Sequence, residues 1–322
     1  MKIAVFDIGT NSIHMLAVDI KSDGSFEVLT HQRDTTRLGD GSFKSKRLQA
    51  SAMNRAIEVI ESFRKIAKRY QVKATVAVAT SAVRDAKNGG VFVETIRKRT
   101  GIKVEVVTGE EEARLIFLAA IHNMPRKNKR TLVVDIGGGS VELILGNDKN
   151  VYFMDSFRLG VTRLTDRFIS HDPPLKKEIR RIKIHIRKKL GRAAKKIKKI
   201  GFSEIVGTSG TMINLGSLVH EKKYKTPLRR VNLFHADVTT FEKVYHELLE
   251  SDWRGRIKMR GLDPKRLDII IAGAVFVKTL LKMLGAHSLT LSSSGIREGI
   301  ILDFINKNGT IIGQKARHGT FR

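Results

Sequence analysis

VVDIGGGSVELILG, residues 133–146, is an apolar run ending in an aspartate, then three consecutive glycines and a serine, then a second apolar run. Both flanks have the character of strands, whereas three glycines in a row weaken any regular element. Such a turn either supplies unusual backbone angles or lets something come very close to the main chain. A turn rich in glycine and hydroxyls, pinned between strands, points successive N–H groups into one space, which suits an anion such as phosphate. For a lone triplet, a plain hairpin needing only a tight turn would be the favoured explanation.

The triplet is not alone. Laying residues 5–16, VFDIGTNSIHML, over residues 133–144 matches Asp7 with Asp135, Ile8 with Ile136, Gly9 with Gly137 and Ser12 with Ser140. The segments after each copy also correspond. The first continues with a strand over Phe26–His31, a helix over Leu48–Tyr70, a strand over Thr75–Thr80, a helix over Gly89–Arg99, a strand over Lys103–Val107 and a helix from Gly109 to Asn123. The second continues with a strand over Val151–Phe157, a helical stretch through Ile200, a strand over Glu204–Thr208 and a helix after Ser209. Two copies of one mixed α/β unit are therefore expected, as domains 1–124 and 125–300. The polar, basic HNMPRKNKR at 122–130 joins them, a cleft lies between them, and a C-terminal helix over 301–322 packs back on the first.

Composition narrows the function classes. At 322 residues the chain is long enough for two cores, and the 41% hydrophobic content is that of a globular protein. The longest uncharged apolar run, IIIAGAVFV at 269–277, is closed by Asp268 and Lys278 and is too short to span a bilayer. MKIAVFDIGT runs straight into a strand and turn with no secretory pattern, so a cytoplasmic location is expected. The absence of cysteine excludes disulfides, iron–sulfur clusters and thiolate zinc sites. The outlier is charge: 60 Lys and Arg against 32 Asp and Glu give +28, a field that draws in polyanions. Its densest part is residues 176–200, thirteen Lys and Arg against one Glu, with Ile179, Ile182, Ile186, Leu190 and Ile197 at helical spacing. That face is either solvated or a track for a polyanion, with Lys188, Lys189, Lys195 and Lys196 as the candidate contacts. Further clusters fall at Arg126–Arg130, Arg229–Arg230 and Arg254–Arg260.

A third glycine-hydroxyl loop, GTSGT at 207–211, follows a short apolar strand and opens a helix. Strand, turn and helix N-terminus together make an anion site, although capping the helix is the commoner role for a serine in the position of Ser209. Acidic residues are scarce and therefore informative. Asp7, Asp135 and Glu142 stand at the mouths of the first two turns, where carboxylate oxygens suit Mg²⁺, with Mn²⁺ as the alternative ion. Glu110, Glu111 and Glu112 open a helix; two of them serve the helix dipole, and one is available to orient or deprotonate water.

Seven segments in order (DIGTNSIHMLAVDI, TRLGDG, VATSAVRDAKN, GEEEARLIF, VVDIGGGSVELI, GTSGTMINL and SSSGIREGII) resemble the exopolyphosphatase and guanosine pentaphosphate phosphohydrolase family, Ppx/GppA, from Lys2 to about Asp303. The resemblance implies an α/β fold of two ribonuclease H-like domains of the actin-like (ASKHA) superfamily around a central cleft. It also implies Mg²⁺-assisted hydrolysis of a terminal phosphoanhydride. By it, Thr10, Asn11 and Ser12, together with Gly137, Gly138, Gly139 and Ser140, would cradle phosphates. Asp135 and Glu142, with Asp7 as a further candidate, would hold the metal or its water. Glu112 would be the general base, Arg84 a substrate contact, and Gly207, Thr208, Ser209, Gly210 and Thr211 a third phosphate loop. Thr10 stands where the family more usually has serine, which keeps the hydroxyl. The chain resembles the short, two-domain type, without the extra helical domains of longer members.

The expected substrate is inorganic polyphosphate, which the charge favours; guanosine pentaphosphate is the alternative within the same chemistry. An actin-like ATP phosphotransferase and a non-catalytic polyanion-binding protein are the other classes. At 6% aromatic residues, base-stacking platforms for nucleic acid are not evident, though phosphate-only contact would need none. No membrane partner is expected, and a homodimer is left open.

Overall fold

The computed structural model describes residues 1–122, 124 and 128–308; residues 123, 125–127 and 309–322, including Arg126 and Lys127 of one basic cluster, lie outside the described residues. The chain divides into two compact units, Met1–His122 with Ile296–Arg322, and Asn123–Gly295.

The first unit carries, in chain order, β1 (Lys2–Ile8), β2 (Ile13–Ile20), β3 (Phe26–Asp34), α1 (Ser42–Ser45), α2 (Ala50–Arg69), β4 (Ala74–Ala79), α3 (Ser81–Asp85), α4 (Gly89–Thr100), β5 (Val104–Val106) and α5 (Gly109–His122). Its sheet has the order β3-β2-β1-β4-β5. β1, β2 and β3 form an antiparallel meander, and β4 and β5 join parallel to β1. Strand periodicity explains why β1 reads as a continuous apolar run. Ala4, Phe6 and Ile8 enter one core with α2 and α4, while Ile3 and Val5 enter another on the opposite face.

The second unit carries β6 (Thr131–Ile136), β7 (Val141–Gly146), β8 (Val151–Phe157), α6 (Val161–Phe168), α7 (Lys176–Ile200), β9 (Glu204–Thr208), α8 (Ser209–Tyr224), β10 (His235–Asp237), α9 (Val238–Glu250), α10 (Trp253–Arg256), α11 (Ile270–Leu284) and β11 (Ser288–Leu291). Its order is β10-β11-β9-β6-β7-β8. Read from β8 to β11, it repeats the first sheet: an antiparallel meander, then two parallel strands, with β10 added at the edge. This shared 3-2-1-4-5 order is the ribonuclease H-like arrangement, present twice.

The chain then returns to the first unit as α12 (Ile296–Lys307), which starts before the 301 expected from sequence. The reason is burial. Ile300, Ile301 and Ile305 complete the core of Ile3, Val5, Leu16, Val18 and Ile20. Gly299 admits α5 so closely that a Cβ there would meet the Leu115 carbonyl oxygen at 2.0 Å. No helix among the described residues is long and apolar enough to cross a membrane.

Candidate functional site

In the first unit, β1 and β2 are in register with Asp7 opposite His14 and Ile8 opposite Ile13, and the turn between them closes by Gly9 N–H donating to the Ser12 carbonyl at 3.1 Å. In the second, Asp135 faces Glu142, Ile136 faces Val141, and Gly137 N–H donates to the Ser140 carbonyl at 3.1 Å. The two turns are one device built twice.

Each turn is tied back by its carbonyls. In the first, the Thr10 and Asn11 carbonyls accept from Gly39 N–H (2.8 Å) and Arg37 N–H (3.0 Å) of the TRLGDG segment. In the second, Gly137, Gly138 and Gly139 carbonyls accept from the N–H groups of Val161 (3.0 Å), Thr162 (2.9 Å) and Gly160 (3.3 Å), where α6 begins. Arg163 Nε adds a bond to the Gly139 carbonyl at 2.8 Å. A trans peptide holds its C=O and N–H on opposite sides. With those carbonyls turned toward α6, the N–H groups of Gly138, Gly139 and Ser140 point the other way together, as Asn11 and Ser12 N–H do in the first turn. The approach requires Gly160, where a Cβ would lie 2.4 Å from Gly138 and Gly139 backbone atoms. Ser12 is 7% exposed, and its hydroxyl has no hydrogen-bond partner among the described residues.

Also in the first unit, Glu111 N–H donates to Thr108 Oγ1 at 3.1 Å at the start of α5, and the three glutamates after Gly109 have three different surroundings. Glu110 is exposed. Glu111 is held by both nitrogens of an Arg114 fork at 2.7 and 2.8 Å, which keeps its carboxyl below the usual range. Glu112 is 8% exposed, and Arg84 Nη1 donates to its Oε2 at 3.0 Å and to the Val107 carbonyl at 2.8 Å. Burial raises the Glu112 carboxyl, and Arg84 pulls it part of the way back. Burial also pushes Asp7 up to about 7, against Arg297 and reinforced by Glu112 and Glu298. Arg297 Nη1 donates to His14 Nδ1 at 3.1 Å and to His31 Nε2 at 2.6 Å.

In the second unit Asp135 and Glu142 are buried register partners, so their carboxylates share one face of the sheet. Ser156, opposite Glu142 on β8, donates its hydroxyl to Glu142 Oε1 at 2.7 Å. Two buried carboxylates side by side repel unless a cation lies near, and an all-oxygen pair fits Mg²⁺, which completes its shell with water and phosphate. Among the described residues no group of three or more His, Asp or Glu could hold a metal alone, so the protein would supply only part of such a shell.

The third loop lies beside the second turn. Asp135 and Thr208 are parallel register partners, and Ser209 donates its hydroxyl to the Ile136 carbonyl at 2.9 Å. Thr208 Oγ1 donates to the Ser294 carbonyl at 2.6 Å. Ser209 has φ +86°, a region that a side chain rarely adopts, so the loop is held under strain. Gly207 has a packing reason: a Cβ would strike Met212 Cε at 2.1 Å. At Gly210 a Cβ would strike Arg266 Nη2 at 2.1 Å, so a buried guanidinium lies against the start of α8. Thr211 is buried in the first turn of α8.

The model of the Ppx/GppA phosphatase family matches residues 17–308. This chain belongs to that family. Exopolyphosphatase 1 of Mycobacterium tuberculosis is 28% identical over 314 residues, 94% of this chain and 88% of that one. A crystal structure of an exopolyphosphatase from Cytophaga hutchinsonii is 30% identical with a TM-score of 0.89, covering 98% of this chain and 100% of that one. The Ppx/GppA structure from Aquifex aeolicus is 29% identical with a TM-score of 0.78, covering 96% and 98%. The fold is thus the α/β fold of Ppx/GppA enzymes, with the ribonuclease H-like strand order in each of two units. Sequence reading did not assign roles to Arg163, Arg266, Arg297, Gly39 or Gly160. Gly39 and Arg297 lie inside family motifs, but the tasks of all five depend on what they touch in the folded chain.

Proposed function

We propose that this Ppx/GppA phosphatase is an exopolyphosphatase, cleaving the terminal phosphoanhydride of inorganic polyphosphate and releasing orthophosphate. The observation that carries the reading is the peptide orientation in the two turns, which presents amide N–H groups, and in the first turn a buried hydroxyl without a partner, to an anion. An unsatisfied buried hydroxyl costs about 1–3 kcal/mol, a cost that a bound phosphate oxygen removes. The net charge of +28 favours a long polyanion over a single nucleotide.

In the first unit Glu112 takes the proton of the attacking water; its raised carboxyl places it nearer neutrality than an ordinary glutamate and so makes it a better base. Arg84 holds the Glu112 carboxylate in one orientation and offers its remaining N–H groups to substrate. In the second unit Gly138, Gly139 and Ser140 N–H groups stabilise charge developing on phosphoryl oxygens. Asp135 and Glu142 would hold Mg²⁺, whose contribution when bound is to neutralise phosphate charge.

Phosphate release in the presence of Mg²⁺ should be compared on long polyphosphate, short polyphosphate, guanosine pentaphosphate and ATP at equal concentration. Highest kcat/KM on polyphosphate is expected. Preference for guanosine pentaphosphate would transfer the proposal to that substrate, and release from none of them would remove the enzymatic reading of the site.

A further inference from the structure

We propose that the solvent face of α7 is a binding track for the part of a long inorganic polyphosphate chain lying outside the catalytic residues, an inference that rests on the polyphosphate reading above. α7 is 25 residues, about 37 Å at 1.5 Å per residue. Ile179, Ile182, Ile186, Leu190, Ala194 and Ile197 are buried in the second unit's core. On the side away from them lie Lys177, Arg181, Lys188, Arg192, Lys195 and Lys199, all exposed and spaced so that they form one line along the helix. Of the thirteen cations on α7, only Lys183 is partly buried, its ammonium 5.3 Å from the Tyr245 ring centroid. Among the described residues none of the other twelve enters an ion pair. Lys196 lies over the Phe153 ring at 5.5 Å, so Lys188 and Lys195, rather than Lys189 and Lys196, are the outermost of the four lysines singled out from sequence.

An ordinary solvated face would mix charges, and this one is arranged against its own stability. Lys177 and Arg181, Lys188 and Arg192, and Lys195 and Lys199 are like charges four residues apart, each pair costing about 0.2–0.5 kcal/mol. Lys176, Lys177 and Arg180 sit at the end of the helix where the dipole is already positive. The single acid, Glu178, is buried and already accepts from Ser170 N–H and Leu175 N–H at 2.9 Å. A polyanion along this face would relieve both penalties. Polyphosphate fits better than RNA, because the helix carries no Phe, Tyr or Trp on which a base could stack, and nine of its thirteen cations are lysines, compact point charges suited to phosphate without directional recognition.

The test replaces Lys177, Lys188, Lys195 and Lys199 together by glutamine and measures equilibrium binding of long-chain polyphosphate across a salt series, with tripolyphosphate hydrolysis in parallel. Long-chain affinity should fall at least 10-fold at low salt, the slope of log K against log salt should flatten by about 2–4, and tripolyphosphate turnover should stay within about twofold. The ligand-free variant should melt no lower than the parent, since repulsion has been removed, whereas added long polyphosphate should raise the parent's melting temperature more than the variant's. Unchanged long-chain binding, or equal loss on both substrates, overturns the track. So does single-stranded RNA that binds as tightly as polyphosphate and is lost with the same substitutions. If the parent hydrolyses neither substrate, the exopolyphosphatase reading fails while the binding series still judges the track. If the fourfold variant does not fold, Lys188→Gln with Lys195→Gln gives the same readout at about half the slope change.

Discussion

Three glutamates open α5, and only their surroundings separate them. Glu112→Gln should leave polyphosphate affinity intact and lower kcat about 100-fold or more, as for a lost general base; Glu110→Gln should be neutral, and Glu111→Gln should weaken only the Arg114 contact. A base acts when ionised, and burial raises Glu112, so kcat/KM should climb with pH through a midpoint above the usual glutamate range. Because Arg84 pulls that carboxyl down, Arg84→Gln should shift the limb further up, besides lowering the rate; a limb unmoved by either change would assign the proton transfer elsewhere. Ser12 provides a second test. Removing a buried hydroxyl that has no partner should leave the melting temperature unchanged or raised, so Ser12→Ala is expected to be no less stable yet at least 10-fold less active. Loss of stability together with activity would make Ser12 a structural residue.

At the scale of elements, the second turn owes its orientation to the start of α6. Gly160→Ala would drive a methyl to 2.4 Å from Gly138 and Gly139, displacing the amides while the hydrophobic face of α6 stays packed. The expected result is a circular-dichroism spectrum like the parent's with kcat/KM reduced at least 10-fold; full activity would show that the turn does not bind substrate. Arg163→Lys keeps charge but loses the fork that reaches the Gly139 carbonyl, and should give a milder form of the same defect. The periodicity of the chain places most elements through α8, but not α1, α3 or the stretch from β10 through β11, and it reads α6 and α7 as one helical stretch. β8 and β9 fall where the apolar runs do, and α2 and α4 differ from their expected bounds by two residues or fewer at each end, because helix ends fray and caps blur them.

For the whole molecule, the decisive feature is that the chain leaves the first unit at α5 and returns to it as α12. The core between β1, β2, α5 and α12 holds Ile301 fully buried, so Ile301→Ala should cost about 2–5 kcal/mol. Thermal melting should show it, and hydrogen exchange should show lost protection in β1 and β2 before the strands of the second unit. Arg114 ties the same return by pairing with both Glu111 and Asp303, each at 2.7 Å. Uniform loss of protection in both units would instead mean that they unfold as one.

The repeat, the two turns and the acidic residues at their mouths were legible in the sequence, because local patterns fix local structure: alternation makes a strand, and a glycine-hydroxyl cluster between strands makes a turn. Charge was legible too, since it is a sum over residues. Residue type and spacing alone could not rank Glu110 against Glu111 against Glu112, which only the family resemblance had separated, because desolvation depends on which side chains surround each group once the chain has folded. Nor could it show that Gly207 serves Met212, that Arg266 fills the space left by Gly210, or that α6 and TRLGDG aim the turns. Except for Gly207 and Met212, those contacts join residues distant in sequence, and all of them depend on placements that only the packed tertiary structure decides.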